Sequence, residues 1–159
     1  MKKIFQGIIT MLAGTIAGIM ATRKILLNLL RKNQENAEKF QILFQMMNQW
    51  VELKQKGINL SQFFEENGYK KIAIYGMSSA GEALCNELKD SDIEITYAVD
   101  KNKYGVVTEL EVYAPDEELP DVDVIVVSAV AYYDEIAAML EEKVKFPIVS
   151  LEDIVYNVY

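Results

Sequence analysis

At 159 residues, 51% hydrophobic and 25% charged, the chain has enough apolar content for one globular domain with length to spare, and too much to be disordered. With no histidine and a single cysteine, Cys85, it lacks an internal disulfide framework and the commonest zinc and triad chemistries. Of the net charge of −8, six basic and no acidic residues precede position 33, so the remainder is strongly acidic and repels a phosphate backbone, which argues against nucleic acid as a partner.

The first element is an uncharged run from Ile4 to Thr22, with Lys2 and Lys3 before it and Arg23, Lys24, Arg31 and Lys32 after it. Nineteen residues rising ~1.5 Å each cover ~28 Å, close to a ~30 Å hydrocarbon core. The expectation is a membrane-anchor helix over residues 1–24, crossing the inner membrane once at 4–22 with the rest of the chain in the cytoplasm. A secretory signal lacks its A-x-A site here, and an interfacial helix lacks a clean polar face. A buried soluble helix leaves the basic flanks unexplained. Gly14 and Gly18 form a G-x-x-x-G through which two anchors could pack.

Residues 25–68 form a connecting segment. No proline or glycine interrupts 25–55, which predicts a long helix. Phe40, Leu43, Phe44, Met47, Trp50 and Val51 make one apolar stripe, widened by Ile42, Met46 and Leu53. The stripe packs on the domain that follows, with a parallel helical homodimer as the alternative. Lys56-Gly57 ends this helix, and Asn59 with Gln62 resembles a capping box for a short helix ending at Asn67-Gly68.

From residue 69 the period changes. Strands are predicted at 71–75, 93–99, near 111–113, at 122–128 and at 146–150, with helices at 80–89, 132–143 and 151–156. Pro115-Asp116-Glu117-Glu118 reads as a further helix start. Strands alternating with helices predict an α/β fold, a small Rossmann-like parallel sheet of about five strands in the order 3-2-1-4-5. A ligand crevice then belongs where that order reverses.

The candidate site is "IAIYGMSSAGEAL", residues 72–84. Gly76 and Gly81 hold the first and third positions of G-x-G-x-x-G, and Ser78 stands at the second, where a pyrophosphate approaches the backbone. Ser79 opens the helix, whose free N–H groups and positive dipole end attract phosphate. Asp100 closes the second strand, where an acid accepts from ribose hydroxyls. Ser128 follows the fourth strand, and Tyr132 and Tyr133 open the next helix at the crevice. Tyr97 and Lys101 have the Y-x-x-x-K spacing of sugar epimerases, but they straddle a strand end rather than sharing a helix face. Cys85 reads as a small packed hydrophobe.

The stretches "GYKKIAIYGMSSAGEALCNELKDSDIEITYAVDKN", "LPDVDVIVVSAV" and "PIVSLEDIVY" resemble small Rossmann-like, nucleoside-diphosphate-sugar epimerase-like domains of bacterial surface-polysaccharide biosynthesis. The resemblance spans about residues 57–157, maps Gly76 and Gly81 onto glycines of the family loop and Asp100 onto its acidic strand end, and departs at Ser78. It implies NAD(P) or a nucleotide-sugar as ligand and glycan-biosynthesis enzymes as partners, without supplying a catalytic set. The resulting expectation is a membrane-tethered, non-catalytic nucleotide-binding domain that recruits or regulates such enzymes. A structural adaptor working through its amphipathic helix, and a nucleotide-sugar oxidoreductase or epimerase, are the alternatives.

Overall fold

The computed structural model describes residues 2–158, with side chains described at 18, 20 and 22–158. The chain divides into two compact units, Met1–Gln41 and Ile42–Tyr159.

The described residues of the first unit lie within helix α1 (Lys2–Gln55). Its described part is sustained by local contacts: Thr22 donates to the Gly18 carbonyl, Gln34 to Glu38, and Arg31 pairs with Glu35 at 3.6 Å. Exposed i,i+4 pairs of this kind contribute little. The single-pass membrane expectation is corrected here. Among the described residues no helix is long and apolar enough to cross a membrane. The uncharged run Ile25–Leu30, interrupted by Asn28, is only six residues long, with Arg23-Lys24 before it and Arg31-Lys32 after it. Most of the 4–22 run lies outside the residues whose side chains are described.

The second unit holds the α/β body. It contains α2 (Ser61–Glu66), β1 (Lys71–Tyr75), α3 (Ser79–Leu88), β2 (Glu94–Val99), β3 (Val112–Tyr113), β4 (Val124–Val127), α4 (Tyr133–Glu141), β5 (Ile148–Ser150) and α5 (Leu151–Asn157). Every strand pair is parallel and the order is β3-β2-β1-β4-β5. The expected α/β Rossmann-like architecture is the observed one. All four residues of β4 and the last four of β1 are buried, as strands covered on both faces must be.

Alternate residues build two cores. Ile72, Ile74, Val124 and Val126 face Leu84, Leu88 and Ile154, while Ala73, Tyr75, Ile125 and Val127 face Ile136 and Leu140. In β2 the register jumps from Ile72–Ile95 to Ala73–Tyr97, leaving Thr96 as an extra residue, a bulge. Ile95 therefore packs in the first core and Tyr97 in the second, although they are two residues apart. The Tyr97 hydroxyl donates to the Pro120 carbonyl at 2.8 Å, and burial, then Tyr113 and Asp121, pushes its pKa up to about 12.

The final turns of α1 cover the first core with Met46, Trp50 and Leu53, flanked by half-buried Leu43 and Met47. Phe40, Phe44 and Val51 are exposed. At ~100° per residue the packed and exposed stripes lie roughly 110° apart, so only part of the expected stripe is the contact. Residues 115–118 form a turn rather than a helix, since Pro120 follows too closely for one to extend. There the Ala114 N–H donates to Glu117, which also binds Lys103.

Glu87 joins three elements. It accepts from Trp50 Nε1 at 2.6 Å and from the Leu60 N–H at 2.7 Å, and it lies 3.3 Å from Lys54 Nζ. With its side chain only 6% exposed, removing it strands a buried indole N–H and a backbone N–H. Glu87→Ala should lower unfolding free energy by about 3 kcal/mol in urea melts and red-shift the emission of Trp50, the only tryptophan. At the amino-terminal ends of β1 and β4, Asp123 accepts from the Lys70 and Lys71 N–H groups at 2.7 and 2.8 Å. The Lys71 N–H, then that of Lys70, holds its carboxyl below the usual range. That stabilisation is complete above the unfolded value of about 3.9 and disappears as pH falls through the lower folded value. Asp123→Asn should flatten this part of the acid limb of a stability–pH profile.

Candidate functional site

The site lies at the carboxyl ends of β1, β2 and β4, where the strand order reverses. β1 ends at Tyr75 and the chain turns at Gly76, whose φ of +98° suits glycine. A Cβ on Gly76 would also lie 2.9 Å from Ser128 Oγ. α3 then starts so close to the strand that a Cβ on Gly81 would collide with the Gly76 carbonyl oxygen. Both glycines therefore have local steric reasons.

Neighbouring strands hold this turn. The Gly76 N–H donates to the Val99 carbonyl at 2.8 Å. From β4, the Ser128 N–H donates to the Tyr75 carbonyl at 2.9 Å, and its hydroxyl reaches the Gly76 and Tyr75 carbonyls at 2.5 and 3.2 Å. From β2, Asp100 accepts from the Met77 N–H at 2.9 Å and the Asn102 N–H at 2.7 Å. Ser78, the N-cap residue of α3, makes no side-chain cap bond, so its hydroxyl does not occupy the N–H groups that open the helix.

A crevice of ≈ 390 Å³ opens beside this turn, lined by Tyr75, Gly76, Ser78, Asp100, Lys101 and Tyr132, with Ala129 and Ile136 behind. That volume is within the range of small-molecule sites. The six residues singled out in the sequence take different places. Gly76, Ser78 and Asp100 line the crevice. Ser79 is exposed at the first position of α3, Gly81 is buried against the turn, and Ser128 is buried with its hydroxyl on backbone carbonyls. Of the two following tyrosines only Tyr132 lines the crevice. Tyr133 donates to the Ile148 carbonyl at 3.0 Å. Cys85 is half-buried against the first core.

Two lining residues, Tyr75 and Lys101, are not among the cofactor-binding residues expected from the sequence. Tyr75 looked like the end of an apolar strand run, yet its buried hydroxyl has no hydrogen-bond partner. Burial, then the charges of Asp100 and Glu135, raises its pKa and keeps it protonated. Lys101 was set aside with the Y-x-x-x-K pair, and it enters the crevice without Tyr97, whose hydroxyl is bound to Pro120. Among the described residues no cluster of three or more acids or thiols is placed to hold a metal ion.

A family model described as acetohydroxy acid isomeroreductase, NADPH-binding domain, matches residues 68–156, the segment carrying the sheet and this crevice. No curated protein and no solved structure matches the chain. The segment is a Rossmann-like nucleotide-binding domain, on sheet order and family match together.

The steric roles of the glycines have a measurable consequence. Gly81→Ala must push α3 away from β1 and should cost about 2–3 kcal/mol in urea melts. Ser78→Gly, at an exposed position with no cap bond to lose, should stay within about 1 kcal/mol of the parent.

Proposed function

The chain belongs to the family of acetohydroxy acid isomeroreductase NADPH-binding domains, and we propose that the crevice beside Gly76 binds a nicotinamide dinucleotide. The observation carrying this reading is the position of the crevice, on the matched segment and at the reversal of strand order. The chain's own residues fit such a ligand. The opening turn of α3 would take the pyrophosphate, Gly76 makes the tight turn that leads into it, and Asp100 would meet a ribose. The orphaned Tyr75 hydroxyl offers one more polar contact. Ser78 narrows the approach with its Cβ and returns a hydroxyl that can donate to phosphate.

A bound nicotinamide would supply hydride-transfer chemistry. The domain's part is binding and orientation, in keeping with a match to the cofactor-binding domain of an enzyme. A nucleotide-sugar ligand and a regulatory role toward surface-glycan enzymes rest on the sequence resemblance alone, and the family match adds nothing to them.

Calorimetric titration of the full chain with NADH, NADPH, UDP- and CDP-sugars, CoA and ATP tests the proposal. A dinucleotide should bind, and at ~100 times its dissociation constant it should stabilise the fold by ~2.7 kcal/mol. Gly81→Val should abolish binding. If no dinucleotide bound at millimolar concentration the proposal would fail, and selective binding of a nucleotide-sugar would move the assignment to the glycan reading.

A further inference from the structure

The polar groups of the same crevice bear on which dinucleotide it takes, an inference that rests on the reading just given. Asp100 spends one lone pair of each carboxylate oxygen on the Met77 and Asn102 N–H groups. Two of about four acceptor positions remain, on a carboxylate fixed in the crevice wall. A carboxylate accepts and does not donate. The adjacent hydroxyls of a ribose can each donate a hydrogen bond to it, whereas a phosphate ester at the 2′-oxygen brings negative charge against it.

Cations that could offset that repulsion are scarce. The guanidinium fork suits phosphate best, yet the chain has no arginine beyond Arg31. Lys103, just past β2, holds both oxygens of Glu117 at 2.9 and 2.8 Å. Lys101 alone among the lysines lines the crevice. A further polar group of the same wall serves either form of the ligand. The Tyr75 hydroxyl lies buried in the same wall, unpartnered and protonated, able to donate to a neutral oxygen and to accept from one.

We propose that the crevice selects a dinucleotide whose adenosine 2′-oxygen is a free hydroxyl, NAD(H) rather than NADP(H), and that Asp100 is the discriminating residue. This sets the chain apart from the NADPH named in its family's description. The Gly76–Gly81 turn does not decide between the two forms, since it faces the pyrophosphate that both share. Discrimination belongs to the end of β2.

The test titrates the full chain with NADH and NADPH at one ionic strength, following nicotinamide fluorescence, and repeats it with NAD⁺ and NADP⁺ by calorimetry. NADH should bind at least about tenfold more tightly than NADPH. Asp100→Asn removes the charge and should bring the two within about threefold. Lys101→Ala should leave the preference for NADH in place, a readout that holds even if Asp100→Asn fails to fold. Tyr75→Phe should weaken both ligands alike without lowering the melting temperature, because the lost hydroxyl has no partner in the protein. NADPH binding as tightly as NADH would overturn the selectivity while leaving dinucleotide binding intact. So would a loss of NADPH binding on Lys101→Ala, with NADH unaffected, if NADPH were the tighter ligand in the parent. Failure of both ligands to bind would remove the dinucleotide reading and this inference with it.

Discussion

The approach of α3 to the end of β1, with the Gly76 carbonyl against the bare Cα of Gly81, is the constraint on which the site depends. It fixes where the helix begins and therefore where its unpaired N–H groups converge. Flanking strands secure it from both sides. Ser128 anchors the turn from β4 through buried carbonyls, and Asp100 anchors it from β2 through the Met77 N–H. Three strands far apart in sequence thus meet at one three-residue loop, 76–78. Backbone groups that would be costly to leave unpaired are paired before any ligand arrives.

Glu87 does for the covering helices what Asp100 does for the loop. One carboxylate, nearly buried, receives the indole of Trp50 and the start of the segment leading into α2. Apolar packing alone would tolerate a helix slid by one turn, because Met46, Trp50 and Leu53 are interchangeable with their neighbours as hydrophobes. A directional bond to a fixed acid does not tolerate it. Both acids illustrate a division of labour, in which area burial supplies the energy and charge-assisted hydrogen bonds choose the arrangement.

Much of the body is legible in the sequence because central parallel strands write themselves as unbroken apolar runs, and β1 and β4 are read off within a residue or two. The crevice position follows from the strand order. The helix face was harder: Phe40, Phe44 and Val51 fit a 3.6-residue period as well as the residues that are buried, and periodicity cannot choose between adjacent stripes. Ser128 shows a different limit. Its place after β4 is visible in the sequence, but whether a hydroxyl turns outward or onto a neighbouring carbonyl depends on a strand over fifty residues away. Tyr75 was hidden by its own hydrophobicity, since an orphaned hydroxyl can be recognised only once everything around it has been placed. The anchor reading of 4–22 rests on length, apolar composition and flanking charge, and the described part of α1 offers no span of the length and apolarity it requires.

Thr96, finally, acts on the sheet as a change of parity. Upstream of it the odd-numbered residues of β2 belong to the α3 side, and downstream the same parity belongs to the α4 side, as Ile95 and then Tyr97 and Val99 demonstrate. Asp100 inherits its direction from that single extra residue. Were Thr96 drawn into the ladder opposite Ala73, every residue from Tyr97 onward would exchange inside for outside, and the carboxylate would swing away from the Met77 N–H it supports. An apparently spare threonine, with a hydroxyl that bonds to nothing, sets the phase of the site's acid.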